Sequence, residues 1–141
     1  MNVLLGFAVM SLAGGCSKPA GVGTFTGAAK VMVDGSGAAH DVAAKVAIGT
    51  EQQADGTHYT ITVDGEPFAK ACTFKTMGTT DGPPGVLVIP SKTTCSVNVG
   101  GKVREAEFIG PCGFDSPNAL TVNVSGEADA KMISYRFQGT R

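Results

Sequence analysis

His58-Tyr59-Thr60-Ile61-Thr62-Val63-Asp64 places Tyr59, Ile61 and Val63 on one side of an extended chain and His58, Thr60, Thr62 and Asp64 on the other. An apolar period of two marks a half-buried strand, because successive side chains leave a strand on opposite faces. The pattern returns in Thr94 to Val99, where Cys95, Val97 and Val99 align, and in Leu120 to Ser125, where Leu120, Val122 and Val124 align. It returns again where Ile133, Tyr135 and Phe137 oppose Ser134, Arg136 and Gln138. Phe25, Ala29, Val31 and Val33 supply a first strand, and Val42, Ala44, Val46 and Ile48 a second, despite the alanine-rich composition of that stretch.

Between these runs, Asp34-Gly35, Asp55-Gly56, Asp64-Gly65 and Gly100-Gly101 provide residues that tolerate positive φ, as two-residue hairpin turns require. Gly82-Pro83-Pro84-Gly85 marks a longer connection, since proline removes the donors that a central strand needs. Val86 to Ile89 is a continuous apolar run that reads as a strand buried on both sides. A change of phase between Val103 and Ala106 suggests a bulge at Arg104 and Glu105. No segment supplies the crossover helices of a parallel sheet. The expected fold is all-β, an antiparallel meander of about eight or nine strands forming a small barrel or a two-sheet sandwich. Phe25-Thr26-Gly27 and Phe137-Gln138-Gly139 suggest that the first and last strands pair.

Composition agrees with one such domain. The 141 residues are 43% hydrophobic and 16% charged, and 11 Lys+Arg against 12 Asp+Glu leave a net charge of −1. That balance argues against a nucleic-acid partner, whose backbone is bound through a surplus of Lys and Arg. It also argues against disorder, which requires few apolar residues and a high net charge.

Residues Val3 to Ala13 form an uncharged apolar run followed by Gly14-Gly15-Cys16. The run is shorter than the roughly 20 apolar residues of a membrane-spanning helix and fits the apolar centre of an export signal. Leu12-Ala13-Gly14-Gly15-Cys16 resembles the lipobox of bacterial lipoproteins, in which small residues precede a cysteine that is lipidated before the signal peptidase cuts. The resemblance implies residues 1–15 as a signal peptide and Cys16 as the lipidated first residue of the mature chain. It implies membrane attachment through that lipid as well. Ser17 stands where inner-membrane lipoproteins carry Asp, which points to the outer membrane; without lipidation the protein is secreted or periplasmic. Residues 16–23 read as the lipidated cysteine and a short tether, and 24–141 as a single all-β domain. The mature residues resemble no particular family.

Cys72, Cys95 and Cys112 remain, an odd number for a compartment where disulfides persist. Cross-strand spacing permits more than one pairing. Cys72 with Cys95 is preferred because both lie in alternating strands with apolar companions; Cys112 looks like a loop thiol, and reads as a buried small hydrophobe or as the true partner of either one rather than as a nucleophile. No Cys-x-x-Cys spacing supports redox or zinc chemistry, and two histidines make a poor metal site.

His40-Asp41 and His58 lack a nucleophile motif, and His58 on the polar face of its strand is expected to be solvated. Glu105 and Glu107 share a strand face but read as a charged sheet edge rather than a glycosidase pair. The sequence therefore predicts a non-catalytic, cofactor-free binding or structural domain of the cell envelope, with a protein partner there. The alternative is a lipocalin-like periplasmic carrier holding a small apolar ligand among Tyr59, Ile61, Leu120 and Phe137.

Overall fold

The computed structural model describes residues 21–34, 38–78 and 85–141. The leader, Cys16, most of the tether, Gly35 and Gly82-Pro83-Pro84 lie outside the described residues. Among the described residues ten strands occur in order: β1 (Gly23–Val33), β2 (His40–Gln53), β3 (Gly56–Val63), β4 (Cys72–Lys75), β5 (Val86–Leu87), β6 (Thr93–Val99), β7 (Lys102–Ile109), β8 (Cys112–Ser116), β9 (Ala119–Ala128) and β10 (Lys131–Thr140). Every ladder is antiparallel. The sheet runs β4-β3-β2-β1-β10-β9-β7-β6, with β8 beside β9 and β5 beside β8. The count exceeds the expected eight or nine because β5 is a two-residue piece and because β7 and β8 lie in succession along β9. The break between them falls at Gly110-Pro111, where Pro111 O accepts from Asn123 N at 2.9 Å. A Cβ on Gly110 would stand 2.0 Å from Asn123 O, so only glycine lets the two backbones approach there.

The sheet curls into a barrel whose two path ends, β4 and β6, meet through the segment that precedes β4. Asn98 N donates to Pro67 O and Ala69 N to Ser96 O, each at 2.8 Å, and Phe68 bridges Val97. Cys72 of β4 and Cys95 of β6 form a disulfide across the same seam, with Cα atoms 5.7 Å apart. Opposite the seam, β1 and β10 pair from Thr26–Thr140 to Val33–Ile133, with Gly27 facing Gly139. A Cβ on Gly27 would fall 2.0 Å from Gln138 O, so this glycine permits the close approach that bends the two strands.

The inward sides of the strands fill the interior, as in other small barrels. Phe25, Ala29, Val31, Val46, Ile48, Tyr59, Ile61, Val63, Val97, Leu120, Val122, Val124, Ile133, Tyr135 and Phe137 are all buried, so the period-two faces are the core faces. Phe114 packs its ring 6.0 Å from Phe25 and 5.7 Å from Tyr59, and Phe68 lies 5.3 Å from Phe108 and 5.2 Å from Tyr135.

Three expectations are corrected. Val86 to Ile89 is not buried on both sides: Leu87 and Ile89 face the core while Val88 is 52% exposed, because the segment lies at a sheet margin with β8 as its strand partner. There is no bulge at Arg104 and Glu105, since the β6–β7 register runs unbroken from Thr93–Phe108 to Val99–Lys102. Val103 simply points into solvent, and the irregularity lies instead in β8, between Phe114 and Ser116. Glu107 does not mark a sheet edge, because β7 is paired there with β6 on one side and β9 on the other, whereas the β9 ladder stops short of Glu105.

The antiparallel order gives the barrel two distinct ends. Gly23, Gln53–Gly56, Ser116–Ala119 and Thr140 gather at one. Val33, Val63, Val99–Lys102 and Ala128–Lys131 gather at the other.

Candidate functional site

The tether meets the barrel at the Gly23 end. Arg141 is fixed there: its guanidinium donates to Val22 O and to Asn118 Oδ1 and lies 5.7 Å from the centre of the Phe25 ring. The opposite end is therefore the one directed away from the tether.

The cysteines separate into two environments. Cys72 and Cys95 seal the seam, as preferred from sequence. Cys112 is not a loop thiol: it opens β8, opposite Val122 and Leu87, and is buried. Burial pushes its thiol up to about 12, so it holds its proton and lacks the character of a nucleophile.

His58 is not solvated either. Its Nδ1–H donates to Thr76 O at 2.9 Å and its Nε2–H to Asp55 Oδ1 at 2.7 Å, leaving the side chain 19% exposed. Both partners are obligate acceptors, so both ring nitrogens carry protons and the ring is an imidazolium. The hydrogen bond with Asp55, then that with Thr76, raises the His58 pKa, and the same contact with His58 lowers that of Asp55. Thr76 is itself buried and its Oγ1 accepts from Tyr59 N at 3.0 Å, so the cluster ties the β2–β3 turn to the segment that follows β4. Its two hydrogen-bond partners, Thr76 O and Asp55 Oδ1, are not nucleophiles it could activate, and these bonds hold structure.

Glu105 and Glu107 project from the outer wall. Ser96 Oγ donates to Glu105 Oε1 at 2.6 Å, and Lys92 lies 3.9 Å from Glu107. Tyr59, Ile61, Leu120 and Phe137, the residues of the carrier alternative, are buried members of the one core cluster. Among the described residues no three of His, Cys, Asp and Glu converge as metal ligands, and no helix is long and apolar enough to cross a membrane.

The end of the barrel away from the tether carries a cleft of about 280 Å³. Its walls are Val31 and Val33 from the inward face of β1, His40 from the start of β2, Glu66 and Pro67 from the β3–β4 connection, and Asn98 from β6. His40 Nε2–H donates to Glu66 Oε2 at 2.7 Å. Tyr135 is the cross-strand partner of Val31 and rests against Phe68, the residue after Pro67. It is fully buried, its hydroxyl has no hydrogen-bond partner among the described residues, and burial pushes that phenol up to about 12.

Sequence reasoning considered His40 alone and passed over Glu66 and Asn98. Glu66 reads as part of a turn after Asp64-Gly65, and 26 residues separate it from His40, so only closure of the barrel brings the two together. The chain matches no family model, no curated protein and no solved structure.

Proposed function

We propose that the protein is a lipoprotein of the bacterial cell envelope, held on the outer membrane by acyl chains on Cys16, with a barrel that serves a non-catalytic binding or structural role. The observation that carries this reading is the apolar run Val3 to Ala13 ending in Leu12-Ala13-Gly14-Gly15-Cys16. Each buried methylene contributes about 0.8 kcal/mol, so two or three acyl chains hold a water-soluble barrel on a membrane without help from the barrel's own surface. The Cys72–Cys95 disulfide supports export, since such bonds persist in oxidising compartments. The entry of the tether at one end supports a barrel standing on its lipid with the His40–Glu66 end outward. The non-catalytic reading is supported by the state of the reactive groups: both histidines are engaged by carboxylates, and Cys112 is buried and protonated.

Intact-mass spectrometry of the membrane fraction, with and without an inhibitor of lipoprotein signal peptidase, tests the reading. The expected species begins at Cys16 and carries acyl groups, and the inhibitor leaves the leader attached. Cys16→Ser is expected to release the barrel from membranes. An unmodified mature chain, or a Cys16→Ser variant that stays membrane-bound, refutes the anchor.

A further inference from the structure

From the cleft at the end away from the tether, we infer that the barrel mouth is a binding site for a primary ammonium group on a short hydrocarbon stem. Tyr135 and Phe68 are buried in the barrel interior next to this end, so a ligand meets the barrel here at its mouth, one of the places where barrels bind small molecules. The inference concerns the binding role proposed for the barrel and stands independently of the anchor.

The cleft has two chemical halves. Val31, Val33 and Pro67 form an apolar floor that suits methylene groups. Beside them are the Glu66 carboxylate, which only accepts, and the Asn98 amide, whose oxygen can accept and whose NH2 can donate. Glu66 is held by His40 through Oε2, and no other hydrogen bond or ion pair occupies it among the described residues. The side-chain amide of Asn98 is likewise unengaged, its backbone N–H alone being committed, to Pro67 O. The hydroxyl of Tyr135, the cross-strand partner of Val31, is buried and has no hydrogen-bond partner among the described residues.

The His40 bond has a positioning consequence. It turns the Nε2 proton toward Oε2, which fixes the carboxylate over the cleft and leaves Oε1 to accept from a ligand. A fixed carboxylate repels anions, and a charged hydrogen bond to it favours a cation over a neutral isostere by about tenfold. Two possible ligands, His40 and Glu66, are too few to hold a metal ion. The volume of about 280 Å³ lies just under the range of drug-sized pockets, which selects ligands of a few heavy atoms.

Titration of the full chain in detergent with n-butylammonium chloride, followed by ¹H–¹⁵N chemical shifts, is the test. Saturable shifts are expected at Val33, His40, Glu66, Asn98 and Gly100, with n-butanol binding about tenfold more weakly and butyrate not at all. Glu66→Gln keeps the shape and is expected to weaken butylammonium by about tenfold while leaving butanol unchanged. Asn98→Ala, on an exposed side chain, gives a second variant in case Glu66→Gln disturbs the loop; it is expected to weaken butylammonium binding, and unchanged binding in both variants overturns the inference. Nα-acetyl-lysine amide, run in parallel, shows whether the ammonium is better presented free or at the end of a lysine side chain, and either preference supports the site. Absence of saturable shifts, equal binding of the three butyl probes, or shifts confined to the outer wall overturns the inference. None of these results bears on acylation of Cys16.

Discussion

Removing the seam disulfide, as Cys72→Ala together with Cys95→Ala, separates what closes the barrel from what fills it. The two cysteines lie 23 residues apart in sequence. Releasing a loop of that size from the denatured ensemble costs about 3.4 kcal/mol by the chain-entropy relation. The seam between β4 and β6 retains the two main-chain bonds from Asn98 and Ala69 and the Phe68–Val97 bridge, and Met77 N donates to Val88 O at 2.7 Å, closing the ring between the segment after β4 and β5. At about 1 kcal/mol net per hydrogen bond, the two seam bonds contribute about 2 kcal/mol and the third about 1 kcal/mol, together still below the cross-link. Urea titration of the double variant is therefore expected to show a loss near 3 kcal/mol, with a modest rise in m as the uncrosslinked chain exposes more surface. Native-state hydrogen exchange should add a local signature. The Ala69 and Asn98 amides exchange through seam opening at low free energy, while amides of the β1–β10 ladder follow global unfolding. A loss below about 1 kcal/mol, with seam amides as protected as the ladder, would refute the claim that the covalent link dominates closure.

Three further predictions concern other parts of the barrel. The His58 pKa is raised on folding, so its contribution is complete below the unfolded value and disappears as pH rises through the folded one; that of Asp55 is lowered, so its contribution is complete above the unfolded value and disappears as pH falls through the folded one. The urea-midpoint gap between the parent and His58→Gln should thus be widest between about pH 4 and 6.5 and narrow on either side, and a gap independent of pH sinks the imidazolium assignment. Cys112, buried with its thiol pushed up to about 12, should react with a disulfide reagent only as fast as the barrel opens, measured by absorbance in rising urea; rapid labelling of the native protein contradicts its placement. Gly27→Ala forces a Cβ against Gln138 O and is expected to cost about 2 kcal/mol or more, whereas Gly85→Ala meets open space, and thermal melts that rank the two alike refute the close-approach argument.

The barrel was legible because its signal is local. Tyr59, Ile61 and Val63 lie in one face by spacing alone, and the same holds for Leu120, Val122 and Val124. The misreadings arose where an apolar residue carries no packing role. Val103 and Val88 are exposed, and assuming each apolar residue buried produced a bulge and a doubly buried strand that do not exist. The Asp129-Ala130 turn between β9 and β10 shows another limit: both residues take positive φ, yet neither is the glycine that announces such a turn. The candidate site was mostly illegible. His58 sits on a polar strand face, and only the return of the chain at Thr76 and Gly78 covers it. Glu66, Asn98 and His40 come from three segments that meet only when the ring closes, and no spacing in the sequence encodes that meeting.

The position of the disulfide connects the fold to the compartment proposed for it. A ring of antiparallel strands has no edge only while every junction holds, and here the junctions are unequal. The β1–β10 pairing extends over eight residue pairs, from Thr26 to Val33, whereas the seam joins a four-residue β4 and a proline-containing loop to β6. Pro67 has no N–H to give, so the seam cannot be extended by ordinary ladder bonds at that residue. An opened seam would expose both path ends as unpaired edges, the features through which sheets associate with one another. The one cross-link found among the described cysteines lies across this junction and not across a junction already secured by a long ladder. It stabilises by restricting the denatured chain and also holds together two edges that few other bonds restrain. In a reducing compartment that restraint is lost while the rest of the core is unchanged, so the barrel's resistance to edge pairing depends on oxidation. That dependence follows from strand lengths and the Cys72–Cys95 bridge alone, with no reference to the residues around Cys16.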